Sequence, residues 1–150
     1  MTDAWHLNNR VNLMLLDQLD EEQLAVTPNP RARSIADQFA HLHNVRVAWL
    51  EPRAPELAKS LTKIGKGAAP GKAALKEALE ASGKVFGELF AEAEKTGKIK
   101  VYFKRGAVAF FAYVLAHEAH HRGQVVLHLK HAGRPVDKMV AFSLWEWEKI

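Results

Sequence analysis

Leu75, Leu79, Ser82, Phe86, Leu89 and Ala93 recur in steps of four and three, and this spacing constrains the fold more than any other feature of the chain. A helix turns by ~100° per residue, so the six positions lie on one stripe. A narrow apolar stripe needs other helices laid against it, which is the packing of a bundle. Gly97 closes this segment as a C-terminal cap.

Three other segments follow the same rule. Leu7, Val11, Met14 and Leu15 recur at helical spacing among Asp17, Asp20, Glu21 and Glu22, which predicts a first helix over the first twenty-odd residues, ended by Thr27-Pro28-Asn29-Pro30. Ser34 is placed to cap a second helix, with Asp37 as its capping-box partner. Its seam is Ile35, Gln38, Leu42, Val45 and Trp49, with Gln38 as the one polar interruption. His41 borders that seam, and His43 falls on the far side of it. After Gly106 a long apolar run from Ala107 to Leu129 makes the last main helix, stopped by Ala132-Gly133-Arg134-Pro135.

Between the second and third helices, Glu51–Gly71 carries Pro52, Pro55, Gly65, Gly67 and Pro70. It is too long for a helical hairpin and suits a crossover joining helices that run in the same direction. Ile99–Lys104 alternates loosely, as a short extended piece would, but one strand makes no sheet. The expected fold is all-α: a four-helix bundle with a long crossover between helices 2 and 3 and a short C-terminal helix, one domain over residues 1–150. The aromatic tail Phe142-Ser143-Leu144-Trp145-Glu146-Trp147 is expected to pack on the bundle or on a second copy of it.

Composition narrows the function. With 150 residues and 48% hydrophobic content the chain can bury one core. No stretch approaches the roughly 20 apolar residues of a membrane span, and the amino terminus lacks a basic region followed by an apolar run. A cytoplasmic protein without membrane association is expected. The net charge of +4 comes from lysines scattered between Lys59 and Lys104, not from a basic face interleaved with aromatics, so a nucleic-acid partner is not expected. The chain has no cysteine, which excludes disulfides and thiolate metal sites and leaves nitrogen and oxygen ligands.

Histidine is the available nitrogen donor. Five of the eight histidines fall between positions 117 and 131. In Ala116-His117-Glu118-Ala119-His120-His121-Arg122-Gly123-Gln124, His117 and His121 are four apart, on one helical face about one turn from each other. Two neutral imidazoles so placed hold a divalent transition metal and leave positions open. A solvated polar stripe is the alternative, and the apolar surroundings of this helix argue against it. His128 shares the face but lies ~10 Å along the axis from His121, beyond the reach of a common ion. The third ligand must come from another helix, and His41 is the best placed by spacing, ahead of His6 and His43. His120 and His131 belong on the surface.

The same letters satisfy His-Glu-x-x-His, the zinc peptidase pattern, with Glu118 as general base. Against it stand Gln124 and Leu127, where the extended pattern wants Gly and His, and the lack of a sheet. Glu118, near Arg122, is better explained as an ion-paired or supporting residue. No serine sits in a Gly-x-Ser-x-Gly elbow.

These pieces resemble the DinB/YfiT-like proteins, small helical bundles regarded as metal-dependent enzymes. The resemblance rests on Ser34-Ile35-Ala36-Asp37-Gln38-Phe39-Ala40-His41-Leu42, the long crossover, the Ala116–Gln124 segment and Ala132-Gly133-Arg134-Pro135. It implies a three-histidine site of His41, His117 and His121 on a divalent metal such as zinc or nickel. It also implies a small-molecule substrate, in some members a low-molecular-weight thiol transferred or isomerised at the metal, and a homodimer. Arg122 and Gln124 would support the site or pack, and Gly123 would allow close helix approach. The rivals are the zinc peptidase and a non-catalytic, stress-related bundle.

Overall fold

The computed structural model describes residues 1–150 and is all-helical. Four long helices make the bundle: α1 (Thr2–Asp17), α3 (Ile35–Leu50), α5 (Lys72–Thr96) and α6 (Gly106–His131). Shorter helices intervene: α2 (Glu21–Ala25), α4 (Pro55–Ala58), α7 (Lys138–Ser143) and a final 3₁₀ turn, Trp147–Lys149.

Local chemistry sets the boundaries. Ser34 accepts from the Asp37 amide at 3.0 Å while Asp37 reaches back to the Ser34 amide, the expected capping box at the start of α3. Gly97 adopts φ +69°, the left-handed conformation that ends α5. The first helix is shorter than its sequence pattern predicts. Asp20 and Gln23 form a second reciprocal capping box, so the chain breaks after Asp17 and restarts as α2.

Cross-helix contacts give the directions. Thr2 meets Glu94, Trp5 donates to the Gly83 carbonyl and Asp17 binds Lys76, so α1 and α5 are antiparallel. His43 meets Ala78 and Arg46 meets Ser82, so α3 and α5 run the same way, as the long crossover requires. Gln38 pairs with His121 and Trp49 with Phe110, so α6 runs back along α3. α1 packs closely at Gly83, where any side chain would collide with Asn9, and there Trp5 Nε1 donates to the Gly83 carbonyl.

Two apolar clusters fill the interior. One gathers Leu15, Leu16, Ile35, Phe39, Leu79 and Leu129 at one end. The other gathers Trp5, Leu50, Phe86, Phe90, Phe110 and Val114 at the opposite end. The α5 seam predicted from spacing is fully buried, Ser82 included. Ile99–Lys104 is a turn-rich connection and not a strand, with Val101 buried in the second cluster. Of the tail, Leu144 packs on the first cluster, as does Val140 just before it, whereas Phe142 and Trp145 stay exposed. No helix is long and apolar enough to cross a membrane.

Candidate metal centre

The three imidazoles singled out from spacing stand together. One nitrogen from each of His41, His117 and His121 lies within 4.8 Å of the other two. The Nε2 atoms of His117 and His121 are 3.2 Å apart, and the His41 ring centre is 4.7 Å from that of His121 and 5.4 Å from that of His117. His121 is buried, while His41 and His117 are half-buried at the edge of the bundle. Tyr113 lies nearly parallel to His117 at 6.2 Å.

Gln38 orients the most enclosed of the three. Its Oε1 accepts from His121 Nδ1 at 2.7 Å, which puts the ring proton on Nδ1 and the lone pair on Nε2, facing His117. The polar interruption in the predicted seam therefore holds a ligand-type imidazole in one tautomer. Its position three residues before His41, on the same face, was the available signal.

All three rings are biased toward the neutral form. Burial, then the Arg33 guanidinium and the His117 ring, lower the His41 pKa to about 4. Burial, then His117 and His41, lower that of His121 to about 4 as well. For His117, burial outweighs the opposing pull of Glu118, and its pKa also falls. Neutral rings present lone pairs at pH 7.

The donor set fits a divalent transition ion. Nitrogens ~2.0–2.1 Å from a tetrahedral centre lie ~3.3 Å from one another, close to the spacing of the two Nε2 atoms. Three imidazoles without a thiolate suit a borderline transition ion rather than the oxygen-seeking calcium or magnesium.

The other histidines are elsewhere. His6, His120 and His131 are exposed. His128 is outside the cluster, and its Nδ1 is buried without a partner. His43 corrects the sequence reading, which placed it away from the interior. It is 1% exposed, with its nitrogens 2.8 Å from the Ala78 carbonyl and 2.9 Å from that of Thr62. His43 thus ties the crossover to α5, while the ring that joins the cluster, His41, is the more exposed of the two.

Glu118, unlike its half-buried neighbour His117, points into the bundle interior. Its Oε1 accepts from Arg46 Nε at 2.8 Å, and its Oε2 from Asn8, Asn12 and Arg46 Nη2 at 2.6, 2.7 and 3.0 Å. Arg46 continues to the Leu79 carbonyl and Ser82 Oγ, and Arg122 Nη1 donates to the Asn8 and Asn12 side-chain oxygens. One carboxylate so links α1, α3, α5 and α6 and fixes the rotation of α6 that turns His117 and His121 toward α3. Burial alone would raise the Glu118 pKa, but Arg46, by charge and hydrogen bond, with Asn12 and Arg122, takes it below the ordinary value. The ion-pair partner is Arg46 of α3, not Arg122. Buried and ion-paired with Arg46 among Asn8 and Asn12, Glu118 is not placed to take a proton from a ligand held at the cluster. Gly123 faces open space, so it serves no close approach within the chain.

Of the three rings, His41 borders a cleft of about 400 Å³ together with Asn44, Arg31, Arg33 and Lys66. A second hollow of about 560 Å³ shares Arg31, Arg33 and Lys66 and adds Gln38, Gln124 and His128. Such an arrangement can bind an ion and admit a small molecule to it.

No curated protein and no solved structure matches the chain. A family model described as the DinB superfamily matches residues 4–125, a span that includes α1, the capped α3 with His41, the crossover, α5 and the two α6 histidines. With its helices in that order and those imidazoles brought to one point, the chain belongs to the DinB superfamily.

Proposed function

We propose that the chain is a metal-dependent enzyme in which His41, His117 and His121 hold one divalent ion, zinc or nickel. The observation that carries this reading is the convergence of three neutral imidazoles, one of them, His41, bordering a cleft and another, His121, fixed in tautomer by Gln38. A divalent ion there supplies Lewis acidity, which makes a thiol or water nucleophilic near neutral pH. Among the chain's own groups, His41 and His117 border solvent and admit the substrate, and Gln38 keeps the His121 Nε2 lone pair available. The reaction class is transfer of a low-molecular-weight thiol to an electrophile, or a hydrolysis of the same electrophilic centre.

The test is elemental analysis of protein purified without a histidine tag, followed by turnover. Near-stoichiometric zinc or nickel is expected, together with consumption of a supplied thiol and electrophile that stops on chelation. Metal-free protein that takes up neither ion overturns the reading. Protein that loads metal but consumes nothing across a panel of thiols and electrophiles overturns its catalytic half.

A further inference from the structure

Arg31, Arg33 and Lys66 are the cationic side chains of both hollows beside the histidine cluster. They come from two segments far apart in sequence, the connection before α3 and the crossover. None of the three side chains takes part in an ion pair or hydrogen bond. Elsewhere on the surface some cations find carboxylates, as Lys76 does with Asp17 and Lys63 with Glu51, and others such as Lys59, Lys84 and Lys98 do not, so what marks these three is their convergence on one cleft. The one carboxylate in the cleft, Asp37, is engaged with Ser34 in the α3 cap.

The two segments are held in place. Arg31 N donates to Asn29 Oδ1 at 3.0 Å, Thr27 Oγ1 donates to the Asn29 carbonyl, and the Ile35 amide closes onto the Val26 carbonyl. On the crossover, Asn44 and Ile64 exchange two hydrogen bonds of 2.8 and 2.9 Å, two residues before Lys66. Three cations on anchored backbone, against the single negative charge of Asp37, leave a net positive field that favours a negative ligand.

We propose that the cleft walled by Arg31, Arg33 and Lys66 takes the anionic end of an acidic small molecule, whose reactive end reaches His41, His117 and His121. This deepens the metal reading by naming the substrate class. A neutral substrate would leave the three cations unused. An acidic one is drawn in by them and held with its other end at the histidines.

The test compares 3-mercaptopropionate with 3-mercapto-1-propanol on the cobalt-loaded protein, reading the thiolate-to-cobalt absorption band. Binding of the acid is expected to be about tenfold tighter than that of the alcohol at low salt. The advantage should fall below about twofold in Arg31→Ala/Arg33→Ala, and the affinity for the alcohol should not change. Equal affinities in the unaltered protein overturn the proposal. So does an advantage that survives the double replacement, because it then comes from chelation by cobalt. Failure to bind cobalt sinks the metal reading instead, and the anion claim is then decided on metal-free protein with inorganic phosphate. Amide shifts at Ala32, Arg33 and Gly65 that vanish in the double variant sustain it, and their absence in the unaltered protein overturns it.

Discussion

Gln38 Oε1 lies 2.7 Å from His121 Nδ1, and through that single bond α3 sets the direction of a lone pair on α6. Partners of this kind contribute to metal affinity without touching the ion. Gln38→Leu is expected to weaken zinc binding by ~10- to 100-fold while the helical circular dichroism is retained. Gln38→Glu keeps an acceptor for the Nδ1 proton and should bind zinc at least as well as the unaltered chain. Titration against a zinc chelator of known affinity checks both, and unchanged affinity in Gln38→Leu would contradict the role.

Replacing His41, His117 or His121 by alanine should each empty the site, as read by metal content after gel filtration. His43→Ala should not. It removes the bridge between Thr62 and Ala78 and is expected to cost about 1–3 kcal/mol of stability. Hydrogen exchange should accelerate in the crossover around Thr62. Metal lost in His43→Ala but kept in His41→Ala would reverse the assignment of the third imidazole.

Glu118 balances Arg46 and Arg122 in the bundle interior, so its removal leaves buried positive charge without a counterion. Glu118→Ala should destabilise the protein by ~3–5 kcal/mol in urea unfolding. Glu118→Gln keeps the shape and part of the hydrogen bonding and should cost less. Where Glu118→Gln folds, its metal stoichiometry should equal that of the unaltered chain. A variant of full stability that has lost proteolytic activity would instead restore the peptidase reading.

Acid should weaken the metal-free fold. His41 and His121 titrate near 4 in the folded protein, against the ordinary 6.5 that the unfolded chain retains. Between those values the unfolded chain binds more protons, so stability rises with pH. The contribution of the neutral rings is complete above about 6.5 and is lost as the pH falls toward 4. Urea midpoints measured from pH 7.5 to 4 should drop across this window, and His41→Ala/His121→Ala should flatten the drop. An equally steep curve in the double variant would assign the acid sensitivity to other groups.

The helices and the imidazole cluster were legible because their signals are local. Four-residue spacing brings His117 and His121 onto one face, and a capped α3 carries a third histidine toward them. The seam of α3 was drawn too narrow. Packing against both α5 and α6 buries much of its circumference, which is why His43 is interior although it lies off the Ile35–Trp49 line. Arg46 could not be matched to Glu118 from sequence, since a helical wheel shows only neighbours three or four residues away, and there Arg122 stood alone. The break after Asp17 had a signal, the Asp20-Glu21-Glu22-Gln23 capping box, hidden in a run of charges that also suits an exposed helical surface.

The polar layer around Glu118 sits between two apolar clusters that would, by themselves, tolerate sliding. Moving α6 by one turn, ~5.4 Å, would leave Glu118 opposite hydrocarbon and strip Arg46 of its counterion. The bundle is thereby keyed to one longitudinal setting, much as a buried asparagine fixes the stagger of a coiled coil. Alignment of the three imidazoles is thus inherited from Asn8 and Asn12 of α1 and Arg46 of α3, none of which joins the cluster.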